Sequence, residues 1–383
     1  MSGATTRVRQ ALDHDYSAAL TLVAGLLTAL VWSGTASSSY QRVLNAPWFA
    51  SRSALGQIDS FRHVVVVGLM TLFFFSIGLE LSRELASGAF TRALHAFPPF
   101  LGALGGMAVP AMLSLLIGTT THSPALRHGW GVPMATDIAF TLGALALAGR
   151  RLPPTLRLFL LMLAVADDVF SVVVLSFTGD DHVRIAELVT FFVVAALCRV
   201  LSRRFRGTTW RLVVLVVLWL TLLGAHVEPP LAGVVAGLIV PFGAARGIRL
   251  EDNIRRWSTG LVLPLFALVS CGVLWSQLHG HAVTTIVVAT VAIRLAGKVV
   301  GIVGGVVAAR LLGYRLHSSI TWPILSASTL LCAVGFTVPL LFAGALYSTR
   351  SATYGAFTLG LLIASVTAGV GGVTLLRYQS RRH

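Results

Sequence analysis

Four charged residues in apolar sequence are the candidates for chemistry. Asp167 and Asp168 adjoin in FLLMLAVADDVFSVVVLSF, Asp137 lies in GWGVPMATDIAFTLGALALAG, and Lys298 in IVVATVAIRLAGKVVGIVGG. A charge at the centre of a bilayer costs about 3 kcal/mol on insertion scales, so such residues normally face a cavity, find partners and mark an ion or proton path. Neighbours on a helix point about 100° apart, so Asp167 and Asp168 cannot do the same job. One can face a cationic partner while the other faces a water-filled funnel. Two close, desolvated carboxylates resist carrying both charges at once, which favours exchange of a proton. The same oxygens suit a hard cation such as Na+ or Li+. A site that holds either protons or a metal cation is a coupling device.

Lys298 is the only lysine in the chain; every other Lys/Arg position is arginine. Arginine does not deprotonate in a protein, whereas a buried lysine can. The pattern fits a proton carrier or a compact partner for Asp167. Arg294 precedes it by four residues, on the same face of an α-helix, and reads equally as an interfacial cation or a cavity residue. Pro133 lies just before Asp137, and Gly335 and Pro339 interrupt TLLCAVGFTVP. These breaks imply unwound backbone, tolerated in a membrane where it lines a cavity. Asp137 could then balance the positive ends of broken helices and Lys298 the negative ends.

The elements that hold these charges are apolar runs at 17–33, 62–82, 97–118, 130–148, 154–178, 185–201, 210–225, 230–243, 257–277, 283–309, 319–347 and 353–376, about twelve spans at roughly 20 residues each. The chain has 383 residues, 56% hydrophobic and 11% charged. That charge content excludes a water-soluble globule, which carries about 25%. The expected fold is an all-α polytopic membrane protein of about 12 transmembrane helices. The net charge of +15 comes with no nucleic-acid-binding module, so it reads as topology signalling and contact with membrane lipid, including anionic lipid. Arginines concentrate in alternate loops, which places both termini in the cytoplasm. The expected organisation is a cytoplasmic segment 1–16, a transmembrane domain 17–376 and a basic tail 377–383. Cys198, Cys271 and Cys332 are scattered and odd in number, which argues against a disulfide framework or a resident metal, and no cofactor is implied.

Several long motifs in order resemble the NhaA family of Na+/H+ antiporters: GLELSREL at 78–85, ATDIAFTLGALALAG at 135–149, AVADDVFSVVV at 164–174, LAGVVAGLIVP at 231–241, LPLFA at 263–267, GKVVGI at 297–302 and CAVGFTVP at 332–339. The resemblance implies inverted repeats with two crossed, broken helices. That family is itself among the cases from which the link between broken helices and midplane sites was drawn. It implies electrogenic exchange of cytoplasmic Na+ or Li+ for external H+ in the plasma or inner membrane, serving pH and sodium homeostasis. By motif, Asp168 corresponds to the principal cation ligand, Asp167 to the second carboxylate paired with Lys298, and Asp137 with Thr136 to the charge compensator at the crossing. Glu80, Arg83 and Glu84 correspond to a pH-response cluster, with Glu251 a further acidic position in it. Three stretches depart from the family pattern: Glu228-Pro229-Pro230 before LAG, Leu268 to Gly272, and Val299-Val300 in the GKVVGI motif. A homodimer is a candidate assembly, though residues 34–61 match the family too weakly to carry it.

Two other readings use membrane carboxylates. An ion-coupled organic-anion symporter of related architecture needs a larger polar cavity than Thr136, Asp137 and Thr337 offer. An intramembrane aspartyl protease needs two aspartates from different helices sharing a proton. Here the aspartates adjoin on one helix, and no G-x-G-D motif is present. The chain is therefore expected to be a transporter and no enzyme.

Overall fold

A computed structural model describes residues 20–47, 58–86, 93–149, 152–175, 178, 185–205, 207–224, 228–239, 254 and 256–380. The N-terminal segment 1–16 and Glu251 lie outside the described residues, as does the side chain of Glu84. Among the described residues the secondary structure is helical, with no strand. In chain order the helices are α1 (Leu20–Thr35), α2 (Ser37–Asn45) and α3, which runs from Phe61–His63 through a π-helical stretch Val64–Leu69 into Met70–Ala86. They continue with α4 (Ala93–Thr120), α5 (Ile138–Ala148), α6 (Pro154–Leu175), α7 (Ile185–Leu201), α8 (Thr208–Gly224), α9 (Pro230–Ile239) and α10 (Ser258–Ser270). The last are α11 (His281–Leu311), α12 (Trp322–Leu331), α13 (Thr337–Leu346) and α14 (Ala352–Ser380).

Parts of α3, α4 and α6, with α11 and α14, are long and apolar enough to cross a membrane. The α1–α2 pair, bent by 119°, together passes the same test. The other expected spans are shorter apolar helices, and two of them are interrupted: 319–347 is divided into α12 and α13, and 130–148 opens in turns that follow a short helix Pro124–His128 and lead into α5. The chain is an all-α membrane protein with two broken, crossed helices.

The chain forms two compact units, Met1–Ala24 with Thr91–Ser171 and Val273–His383, and Gly25–Phe90 with Val172–Gly272. In the first, α4 and α11 pack through Gly105 and Gly301, each of which would drive a Cβ into the other's carbonyl. Lipid is as apolar as leucine, so close backbone approach of this kind, rather than expulsion of water, holds membrane helices together. An apolar cluster from α5, α6, α11 and α12, including Leu142, Phe159, Leu163, Ile302, Val306 and Leu325, fixes the helix that carries the aspartate pair. In the second unit α3 packs on α9 by the same device at Gly78 and Gly237. There the Arg62 side chain bonds Asn45 Oδ1 at 2.9 Å and the Val269 carbonyl, and Tyr40 donates to the Leu268 carbonyl at 2.7 Å. Both cover the carbonyl end of α10, whose last turn lacks partners of its own.

Candidate functional site

Two stretches of non-helical backbone meet inside the first unit. Residues 129–137 form turns and then an extended strip before α5, and residues 332–336 separate α12 from α13. The strips hydrogen-bond to each other. Asp137 N donates to the Val334 carbonyl at 3.0 Å, and Thr136 Oγ1 to the Cys332 carbonyl at 2.8 Å. Thr141 Oγ1 donates to the Leu331 carbonyl at 3.2 Å, and Gly335 N to Ser365 Oγ of α14 at 3.1 Å. Backbone that has left the helix ladder is thus satisfied within protein, as hydrocarbon surroundings require.

Sequence reasoning treats Pro133, Gly335 and Pro339 alike as breaks, but the structure separates them. Pro133 lies in the turns and Gly335 in the non-helical backbone between α12 and α13, whereas Pro339 is the third residue of α13. In a first turn the missing N–H has no intrahelical acceptor anyway, so Pro339 starts a helix and breaks none. Gly335 is glycine for space: a Cβ there would collide with the Arg294 guanidinium and the Ala135 carbonyl.

Asp137 is buried and caps two helices. Its Oδ1 accepts from Phe140 N at 3.2 Å, in the first turn of α5, and its Oδ2 from Thr337 N at 3.4 Å, the first residue of α13. One carboxylate therefore faces two positive helix ends.

The expected counterpart, Lys298 at the negative ends, is not what the geometry gives. Lys298 Nζ lies 3.0 and 2.9 Å from Asp167 Oδ1 and Oδ2, with both side chains fully buried. Asp167 Oδ2 also accepts from Thr136 N at 2.6 Å, which ties the pair to the crossing. The carbonyl ends belong to Arg294. Its Nε donates to Ala333 at 2.9 Å, Nη1 to Pro133 at 3.1 Å and Nη2 to Ala135 at 2.9 Å, so one guanidinium bridges both unwound strips. The turn Ile293–Gly297 that separates the two cations is π-helical. A π turn rotates the following residues relative to an α-helix, and such turns recur at functional sites. Arg294 and Lys298 consequently serve different partners.

Asp168 is fully buried, and neither carboxylate oxygen has a hydrogen-bond partner. The hydroxyls of Ser171, one turn on, and Thr337 are likewise buried and unpartnered. In the sequence Ser171 carries no signal beyond being a polar residue in an apolar run.

Of the pH-response candidates, Glu80 and Arg83 lie in the second unit. Glu80 is buried on α3, and Arg83 Nη2 is 3.9 Å from its Oε1. Glu228 lies in the turn entering α9, where desolvation pushes its carboxyl up to about 7.

Crossed broken helices around a buried carboxylate pair and a lysine define an ion-coupled secondary transporter. The family model described as Na+/H+ antiporter 1 matches residues 9–376, and the chain belongs to that family. The Na(+)/H(+) antiporter NhaA of Serratia proteamaculans is 33% identical, over 97% of this chain and 98% of that one. The Na(+)/H(+) antiporter NhaA 2 of Frankia alni is 36% identical, over 96% of this chain and 77% of that one. The solved structure of the sodium proton antiporter MjNhaP1 from Methanocaldococcus jannaschii superposes with a TM-score of 0.53 at 13% identity, covering 94% of this chain and 97% of that one, a likeness of fold.

Proposed function

We propose that the chain exchanges Na+ or Li+ for protons across the cell membrane, with cation and protons competing for the Asp167/Asp168 site. The observation that carries this reading is Asp168, a fully buried carboxylate with both oxygens unpartnered, beside an Asp167 already engaged by Lys298. A buried carboxylate with no donor needs either a proton or a cation. From the cytoplasm Na+ displaces the protons; the loaded site reopens outside, releases Na+ and is reprotonated, and rocking of one bundle against another gives alternating access. Exchange is electrogenic, with more protons than cations per cycle. The family match and the small polar complement of the crossing favour this over an organic-anion symporter. Aspartates adjoining on one helix disfavour a protease, and the protein is a transporter and no enzyme.

Both termini lie in the cytoplasm, by the bias of arginine among the loops. Glu80, Arg83, Glu84 and Glu251 contribute to the pH response. Arginine-rich loops meet anionic lipid. A cavity of about 630 Å³, lined by Arg310, Tyr314, Arg315, His317 and Trp322 among others, suits a headgroup phosphate. A homodimer is open to test by cross-linking in membranes.

The deciding experiment uses proteoliposomes with a trapped pH dye and an imposed proton gradient. Na+ or Li+ should dissipate the gradient in the parent and leave it standing in Asp168→Asn. Exchange retained in that variant would sink the assignment.

A further inference from the structure

Hard cations are held by several oxygens, and Asp168 alone supplies two. Ser171 follows Asp168 by three residues on α6, so their side chains share a face of that helix. Its hydroxyl is completely buried, with no hydrogen-bond partner. That is unusual for its setting. A buried helical serine or threonine can donate a hydrogen bond from its hydroxyl to a carbonyl three or four residues back. Here Ser76 does so to Phe73, Thr290 to Ile286, Ser328 to Leu325 and Thr358 to Tyr354, at 2.7 to 2.8 Å. The helix at Ser171 offers the same acceptors, and they go unused. An orphaned buried hydroxyl carries a desolvation cost with no return. Its oxygen has two lone pairs, and the ionised carboxylate beside it only accepts. Two carboxylate oxygens and a hydroxyl oxygen with free lone pairs, on one helix face and unclaimed by any other group, make an environment for a cation.

We infer that Ser171 Oγ is a ligand of the transported cation alongside Asp168, and that it sets the preference among cations. The inference rests on the antiport reading above and deepens it. A neutral oxygen adds coordination without adding charge. It therefore helps a metal ion and does nothing for a proton, which needs only one carboxylate oxygen. Na+, the larger ion, gathers more oxygens than Li+ and depends on the hydroxyl more.

The test compares parent, Ser171→Ala and Ser171→Thr in proteoliposomes, with KM and maximal rate for Na+ and for Li+ at fixed pH and Asp168→Asn alongside. Ser171→Ala should raise the KM for Na+ by about tenfold, the scale of one hydrogen-bond-sized contact to a charge. The KM for Li+ should rise less, and the maximal rate at saturating cation should stay. Ser171→Thr, which keeps the hydroxyl, should retain the parent's Na+/Li+ ratio. Equilibrium 22Na+ binding in detergent should show the same loss for the alanine variant. Both KM values within about twofold of the parent, or a fall in maximal rate with KM unchanged, would overturn the role of Ser171 and leave it a packing residue. Exchange that survives Asp168→Asn would instead overturn the site itself, so the two failures are distinguishable.

Discussion

Arg294→Met tests whether one guanidinium holds the crossing together. The side chain has no exposed surface and donates to the carbonyls of Ala333, Pro133 and Ala135 at 2.9, 3.1 and 2.9 Å. Methionine fills similar volume and donates nothing. Three buried carbonyls then lose their donor, at about 1–3 kcal/mol each, or roughly 3–9 kcal/mol in all. Against this, the variant no longer desolvates a guanidinium, which returns several kcal/mol. The net expectation is a loss of about 2–5 kcal/mol, from the orphaned carbonyls and from two aspartates left with one cation fewer. At about 2 °C per kcal/mol for a large domain, the unfolding midpoint should fall by roughly 4–10 °C. Thermal unfolding in detergent, followed by the intrinsic fluorescence of the 8 tryptophans, reads this directly. Arg294→Lys should recover only part of the loss, because an ammonium cannot spread its donors over carbonyls on two strips as a planar fork does. A methionine variant that unfolds within about 1 °C of the parent would refute the reasoning, since those carbonyls would then not depend on Arg294.

Gly335→Ala should destabilise by about 1–3 kcal/mol, because its Cβ meets the Arg294 guanidinium and the Ala135 carbonyl. The same unfolding assay reads it, and an unchanged midpoint would mean that the strip relaxes freely. Glu228→Gln should alter the dependence of stability on pH. The folded carboxyl titrates near 7 against an ordinary value of 4.5, so the folded protein keeps a proton that the unfolded chain releases. The parent should lose stability as pH rises from about 4.5 to about 7, and the glutamine variant should be flatter over that interval. Parallel curves for the two proteins would count against a protonated Glu228.

Much of the architecture is legible in one dimension. A run of about 20 apolar residues has few alternatives to a membrane helix, because hydrocarbon leaves backbone groups no partner outside the helix. A charge in such a run has no inexpensive structural excuse, so Asp137, Asp167, Asp168 and Lys298 stand out from their positions in the sequence. Pro133 in the fourth run and Gly335 in the eleventh mark where helix gives way to other backbone, and motif order carries the family.

The assignment of partners is a different kind of fact. Arg294 and Lys298 sit four residues apart and look equivalent in sequence, yet a π-helical turn sends one to the carbonyls of two unwound strips and the other to Asp167. Asp137 caps a helix that begins 200 residues later at Thr337. Gly335 and Pro339 read alike as interruptions, but only the three-dimensional arrangement puts one in the break and the other in a first helical turn. Ser171 is an ordinary residue until its hydroxyl is found without an acceptor or a donor. The apolar pattern determines which segments enter the membrane, because transfer free energy sums along the chain. Which charge meets which oxygen depends on side-chain direction and on segments distant in sequence, and only the folded arrangement decides it.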